Sequence, residues 1–66
     1  MNKEEAIKAM QEGKKITHTS FTDEEWMTMK DGKILTEEGY LHPWVDFWYW
    51  RQEPIWEKNY SLYLAD

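Results

Sequence analysis

Apolar and polar positions at the start of the chain repeat with helical spacing. Ile7 and Met10 lie three residues apart and, with the alanines beside them, form a narrow apolar stripe. Asn2 is a residue type that caps helix starts, and Gly13 is suited to the left-handed conformation that ends a helix. The pattern predicts a helix over residues 2–12.

The following segments alternate with the period of a β-strand. Residues 14–19 place Ile16 and His18 on one face and β-branched threonines on the other, which is typical of a strand. Two short apolar runs, 26–29 and 33–36, are separated by a turn with Asp-Gly, the strongest short-range signal for a hairpin. Residues 60–64 alternate again and predict a last strand.

Residues 43–51 are compatible with two structures. A strand would divide the aromatic rings between two faces, and the aromatic content favours it. A helix, with Pro43 at its first position, is our prediction because it gathers the largest rings on one stripe. That stripe comprises Trp44, Phe47, Trp48 and Arg51.

These elements predict an α+β fold in a single small domain spanning residues 1–66. We expect an N-terminal helix packed on a small antiparallel β-sheet, with a second short helix before the last strand.

The aromatic content indicates that the protein binds something, because a small core cannot bury all of its rings. The 66 residues include five tryptophans, four tyrosines and two phenylalanines, and five of these rings lie within 44–50. A chain this short buries only about 60% of the surface that its unfolded form exposes. With no cysteine and two isolated histidines, neither a disulfide nor a metal or other cofactor is expected. We therefore expect a homo-oligomer, a partner protein or a flat ligand to cover some of the rings.

Charge and hydropathy limit the partners. The net charge of −5 argues against direct nucleic-acid binding, which needs a basic face. The acidic surface either imitates nucleic acid or only keeps the chain in solution. The sequence has no apolar run near 18 residues, so we expect no membrane segment. Because the first residues are charged and lack the apolar centre of a signal peptide, and the chain has no cysteine, we expect a cytoplasmic location.

No set of residues predicts catalysis. Ser20 and His18 lack a third, orienting group, the paired glutamates lie on turns that solvent reaches, and the three glycines are isolated. We expect the protein not to be an enzyme.

Candidate ligand-binding residues come from the aromatic segment and the first strand. We expect the guanidinium of Arg51 to stack on Trp48 or Trp44. It either pairs with Glu53 or Asp46 at the surface or offers a planar fork to a phosphate, with the neighbouring indoles stacking on a base. His18 is either a half-buried strand histidine or a ligand contact. The full candidate set is Trp44, Trp48, Trp50, Arg51, Lys15 and His18.

Several segments resemble small phage and prophage proteins. The opening Glu5-Ala6-Ile7-Lys8-Ala9-Met10-Gln11-Glu12-Gly13-Lys14-Lys15-Ile16-Thr17-His18, then Phe21, Glu25-Trp26, Trp56 and Tyr60-Ser61-Leu62-Tyr63, are similar to a family that includes the Thoeris anti-defence sponge proteins and an anti-CRISPR relative. The resemblance implies small, oligomeric α+β proteins, of which the sponge members bind cyclic ADP-ribose-type signals between subunits. After the first strand that family has Arg and a Gly-Trp-Asn-Gly loop, whereas this chain has His18-Thr19-Ser20-Phe21-Thr22. No ligand residue is therefore carried over by match.

The resemblance and the residues together give one leading hypothesis and two alternatives. The leading hypothesis is a phage-encoded, non-catalytic anti-defence protein, with a nucleotide-derived immune signal such as a cyclic nucleotide or an ADP-ribose derivative as its ligand. The first alternative is an acidic inhibitor that docks on a host defence protein, with exposed tryptophan as the anchor. The second is a structural oligomer without a ligand.

Overall fold

A computed structural model describes residues 1–64 of the chain. It consists of one five-stranded antiparallel sheet with helices on one side, which confirms the predicted α+β fold. In chain order the elements are α1 (Lys3–Gln11), β1 (Ile16–His18), β2 (Met27–Lys30), β3 (Lys33–Thr36), β4 (Leu41–His42), α2 (Trp44–Tyr49), a 3₁₀ helix (Pro54–Glu57) and β5 (Tyr60–Leu62).

The N-terminal helix begins and ends as its sequence predicts. The side chain of Asn2 accepts a hydrogen bond from the amide of Glu5 at 2.8 Å, and the Glu5 carboxylate accepts one from the amide of Asn2 at 3.0 Å. This reciprocal capping box satisfies two amides that the first helical turn leaves free. Gly13, with φ of +87°, ends the helix in the left-handed region.

The sheet has the strand order β4-β3-β2-β1-β5. Its hairpin turns through Asp31 and Gly32, both at positive φ, which is the two-residue geometry that Asp-Gly favours. Directly opposed residues of antiparallel strands lie on the same face, so the register defines two faces. The covered face, against which the helices pack, carries Ile16, His18, Met27, Met29, Ile34, Thr36, His42, Tyr60 and Leu62.

The last strand differs from its prediction. It ends at Leu62, and of the alternate residues Tyr60, Leu62 and Leu64, which a strand over 60–64 would place on one face, only Tyr60 is buried. Leu62 and Leu64 stay exposed because β5 is an edge strand, paired with β1 alone among the strands of residues 1–64. The two-residue strand β4 and the 3₁₀ helix were not predicted.

The aromatic segment is helical rather than extended. The helix α2 is shorter than predicted, since Trp50 already serves as its C-terminal cap. Pro43 lies one position before the helix, at the N-cap. Across residues 1–64, no helix is long and apolar enough to cross a lipid bilayer.

Candidate binding site

One side of α2 is part of the hydrophobic core. We call Trp44, Phe47 and Trp48 the inner face of α2. Phe47 and Trp48 are buried, their rings meet edge to face at 5.0 Å, and Trp44 packs against Trp48 at 5.7 Å. The Lys3 ammonium lies 4.4 Å above the Trp48 ring and links α1 to α2. Two of the predicted ligand residues, Trp44 and Trp48, are therefore committed largely to packing.

Arg51 lies near this face but does not stack as predicted. Its guanidinium carbon is 3.9 Å from the centre of the Phe47 ring and 5.4 Å from that of Trp56, and Nη1 donates to the Phe47 carbonyl at 3.0 Å. The prediction of Trp48 or Trp44 as partner was wrong because the helix ends before residue 51. The side chain then folds back over the last turn instead of continuing the stripe.

The alternative expectation, an ion pair with Glu53 or Asp46, is not met either. The structure described here, residues 1–64, contains no ion pair at Arg51. Burial lowers the pKa of the Arg51 guanidinium, whereas the charges of Tyr60, Glu25 and Glu53 act in the opposite direction.

His18 is a structural residue rather than a ligand contact. It is 2% exposed, its Nδ1 accepts from the amide of Ser20 at 3.0 Å, and its Nε2 lies 2.9 Å from the carbonyl oxygens of both Ile55 and Lys58. Nδ1 accepts a hydrogen bond, so Nε2 carries the hydrogen and donates. Both ring nitrogens are thus occupied, and His18 fastens the 3₁₀ helix to β1.

Lys15 lies on the other side of the sheet from His18. It precedes the covered-face residue Ile16, and its ammonium is 4.2 Å above the ring of Trp26. The six predicted ligand residues therefore do not converge on one site within a single chain.

The outer side of α2 carries the exposed rings. Val45, Tyr49 and Trp50 are 75%, 60% and 74% exposed, and we call these three residues the outer patch. The rings of Tyr49 and Trp50 meet edge to face at 4.9 Å and border a shallow groove completed by Gln52 and Glu53. Trp50 is the one predicted ligand residue with a largely free ring.

An acidic cleft of about 170 Å³ lies next to Arg51. Glu25 comes from the turn before β2, and Glu37 and Glu38 come from the turn after β3. The antiparallel register Met27↔Thr36 brings these two turns together at one end of the sheet. The other residues that line the acidic cleft are Phe21, Trp26, Met27, Thr36, His42, Phe47 and Arg51.

Two lining residues have polar atoms without a partner. Thr36 Oγ1 and Arg51 Nε are buried and make no hydrogen bond within the described part of the chain. Most buried polar groups in proteins are hydrogen-bonded, so two buried polar atoms without a partner beside one cleft are unusual.

Sequence reasoning missed most of the outer patch and the joining of the acidic turns. The helical stripe that places Trp44, Phe47 and Trp48 inward also places Val45 and Tyr49 outward, so the signal was present in the same pattern. The convergence of the two acidic turns follows from the hairpin, whose register pairs the ends of β2 and β3.

The geometry defines a small α+β protein with an exposed aromatic patch and an acidic cleft. Comparisons of the chain with protein-family models, with curated proteins and with solved structures gave no match.

Proposed function

We propose that this chain is a non-catalytic binding protein that a phage uses against a host defence system, and that the outer patch is its contact surface. The exposure of Val45, Tyr49 and Trp50 is the observation that carries this proposal. A buried tryptophan ring such as that of Trp48 stabilises the fold through the apolar surface it removes from water. The exposed ring of Trp50 does not contribute this free energy to folding. Tryptophan and tyrosine are also the residue types most enriched at binding hot spots. The phage origin rests on the resemblance of the opening segment.

The charge distribution supports a protein partner with a basic surface. Glu25, Glu37 and Glu38 converge at the acidic cleft, and Glu53 borders the outer patch. Carboxylates placed in this way attract arginine and lysine side chains and speed up encounter with a basic partner. A nucleic-acid-handling defence protein presents such a surface, so the acidic docking inhibitor is the function that the geometry supports best.

A nucleotide sponge is the second candidate, and the unpaired atoms at the acidic cleft favour it. Thr36 Oγ1 and Arg51 Nε have no hydrogen-bond partner within residues 1–64, and both residues line a cleft that aromatic rings also line. A ligand that brings its own donor and acceptor would satisfy them. Because the predicted ligand residues are dispersed over one chain, such a site would be assembled from two subunits of a homo-oligomer.

A plaque assay tests the anti-defence role. Host strains that each carry one defence system are infected with a phage that the system restricts, with and without expression of this protein. We expect expression to restore plating on at least one strain, and no effect on the parental host without defence. Failure on every strain of a broad panel would contradict the anti-defence role.

A thermal-shift screen separates the two candidates. Cyclic dinucleotides, cyclic oligonucleotides and ADP-ribose derivatives are added to the purified protein. A sponge ligand at about 100 times its dissociation constant adds roughly 2.7 kcal/mol, which raises Tm by on the order of 10 °C for a domain of this size. The docking inhibitor predicts no shift, together with a partner complex that dissociates steeply as salt is added.

A further inference from the structure

The second face of the sheet has no covering element within residues 1–64. α1, α2 and the 3₁₀ helix contact the covered face, where the buried core residues lie. The strand register places another set of side chains on the opposite side, which we call the open face, and none of its strand positions is fully buried. Its strand positions are Thr17, Thr28, Lys30, Lys33, Leu35, Leu41 and Ser61, flanked by Lys15, Trp26 and Tyr63.

The open face is basic although the protein is acidic. Lys30 and Lys33 are opposed at the hairpin end, and Lys15 immediately precedes β1. None of the acidic residues within residues 1–64 occupies a strand position of this face. The net charge of −5 is a sum over the whole chain. It does not describe the local charge of the open face, where the strand positions carry lysines.

Aromatic rings accompany these lysines. The rings of Trp26 and Tyr63 are 6.4 Å apart, and the Lys15 ammonium lies 4.2 Å from the centre of the Trp26 ring. Both rings are half-buried, so part of each stays accessible to solvent. Rings on a flat sheet next to lysines are the combination that binds unstacked bases and their phosphates.

We propose that the open face binds single-stranded nucleic acid. Trp26 and Tyr63 stack on bases, while Lys15, Lys30 and Lys33 contact phosphates. Unpaired bases are required because the rings of a duplex are already stacked on one another. A second copy of the chain is a poorer occupant, since it would bring the same lysines face to face. This surface is separate from the outer patch and does not depend on the proposed function.

Fluorescence anisotropy with a labelled single-stranded oligonucleotide of about 12 nucleotides tests the proposal, because sites of this kind cover about 4–16 nucleotides. Three phosphate contacts give a slope of log K against log salt of about −2, so affinity falls roughly 20-fold between about 50 and 200 mM salt. We expect a duplex of the same sequence to bind much more weakly. No anisotropy change at the lowest salt, or equal affinity for the duplex, would overturn the proposal.

Variants with matched charge changes locate the site. Replacing either Lys30 or Lys33 alone by Gln should reduce the salt slope by about 0.7 in magnitude, whereas Lys8→Gln, which also removes one charge but lies on the exposed side of α1, should not change it. Tyr63→Leu keeps the apolar bulk but removes the ring, and should weaken binding roughly tenfold. Equal effects of Lys8→Gln and of the hairpin lysines would overturn the assignment, and so would unchanged binding by Tyr63→Leu. Sedimentation of the free protein as a stable dimer that excludes the oligonucleotide would identify a second copy as the occupant instead.

Discussion

The two sides of α2 use the same residue types for different purposes. Trp48 and Trp50 are two positions apart, yet Trp48 is 8% exposed and Trp50 is 74% exposed. A separation of two residues turns the side chain through more than half a helical turn, so one ring enters the core and the other faces solvent. Helical periodicity therefore divides the aromatic excess into rings that stabilise the fold and rings that stay exposed to solvent.

The difference extends to the neighbours of each side. The inner face of α2 is held by Lys3 and by Arg51, which closes over Phe47. Within residues 1–64, the outer patch has one ring contact, between Tyr49 and Trp50, and no cation lies over its rings. Substitutions on the inner face should therefore act on stability, and those on the outer patch on binding.

Truncation of a core ring should have the largest effect. Phe47→Ala removes a buried ring from the contact with Trp48 and Arg51, and should cost about 3–5 kcal/mol of unfolding free energy. A domain of this size has little more than that in total, so we expect circular dichroism to show a largely unfolded chain at 25 °C. Tyr49→Ala, on the outer patch, is the matched control and should unfold like the parent. Similar losses for both variants would contradict the division between the two sides.

Loss of the Arg51 stack should have an intermediate effect. Arg51→Met keeps the apolar stem but removes the guanidinium, its contact with Phe47 and its hydrogen bond to the helix end, at a cost of about 2 kcal/mol. Arg51→Lys should restore little of this, because an ammonium lacks the planar stack. Urea denaturation measures both. Full stability of the lysine variant would show that charge alone matters at this position.

Alkaline pH should lower the unfolding free energy of the protein through the buried hydroxyl of Tyr60. Burial, the largest cause, and the charge of Glu57 together raise the pKa of Tyr60 to about 12, against the opposing charge of Arg51. The folded state holds the proton more tightly than the unfolded chain, whose tyrosines titrate near pH 10. Stability should therefore be complete below about pH 10 and fall as pH rises toward 12.

Denaturation midpoints between about pH 8 and 12 measure this loss. Tyr60→Phe should flatten the alkaline step, at the expense of the hydrogen bond that the hydroxyl donates to the Trp56 carbonyl at 2.6 Å. Tyr49→Phe should leave the step in place. An unchanged alkaline step in Tyr60→Phe would assign it to another group.

The smallest stability effect is expected at Trp50. Its ring contacts Tyr49 and is otherwise largely in solvent, so Trp50→Ala should change the unfolding free energy by no more than about 0.5 kcal/mol. Thermal unfolding followed by circular dichroism measures this. A loss above about 2 kcal/mol would mean that the outer patch belongs to the core, and the contrast within α2 would disappear.

The fold was largely predictable because its signals are local. Asn2 and Gly13 mark the ends of α1, and Asp31-Gly32 specifies the hairpin through its backbone preferences. The aromatic stripe identified α2 as a helix. The strand β4 and the 3₁₀ helix have weak local signals, because two residues of pairing or one helical turn owe their existence to the surrounding tertiary contacts.

The candidate site was less predictable because it depends on distant contacts. His18 is buried through carbonyl groups of Ile55 and Lys58, which lie 37 and 40 residues along the chain. Arg51 lost its predicted partner when the helix ended two residues early. The packing of the helices determines which face of the sheet stays open, and this packing depends on contacts between residues distant in the sequence.

We propose that the inner face of α2 stabilises the fold and that the outer patch binds the partner. The plaque assay on the defence strain where the parent protein restores plating, repeated with a Tyr49→Ala, Trp50→Ala double variant, tests this claim. We expect the variant to lose anti-defence activity while its unfolding free energy stays within about 1 kcal/mol of the parent. Full restoration of plating by this folded variant would contradict the claim and move the binding surface elsewhere on the molecule.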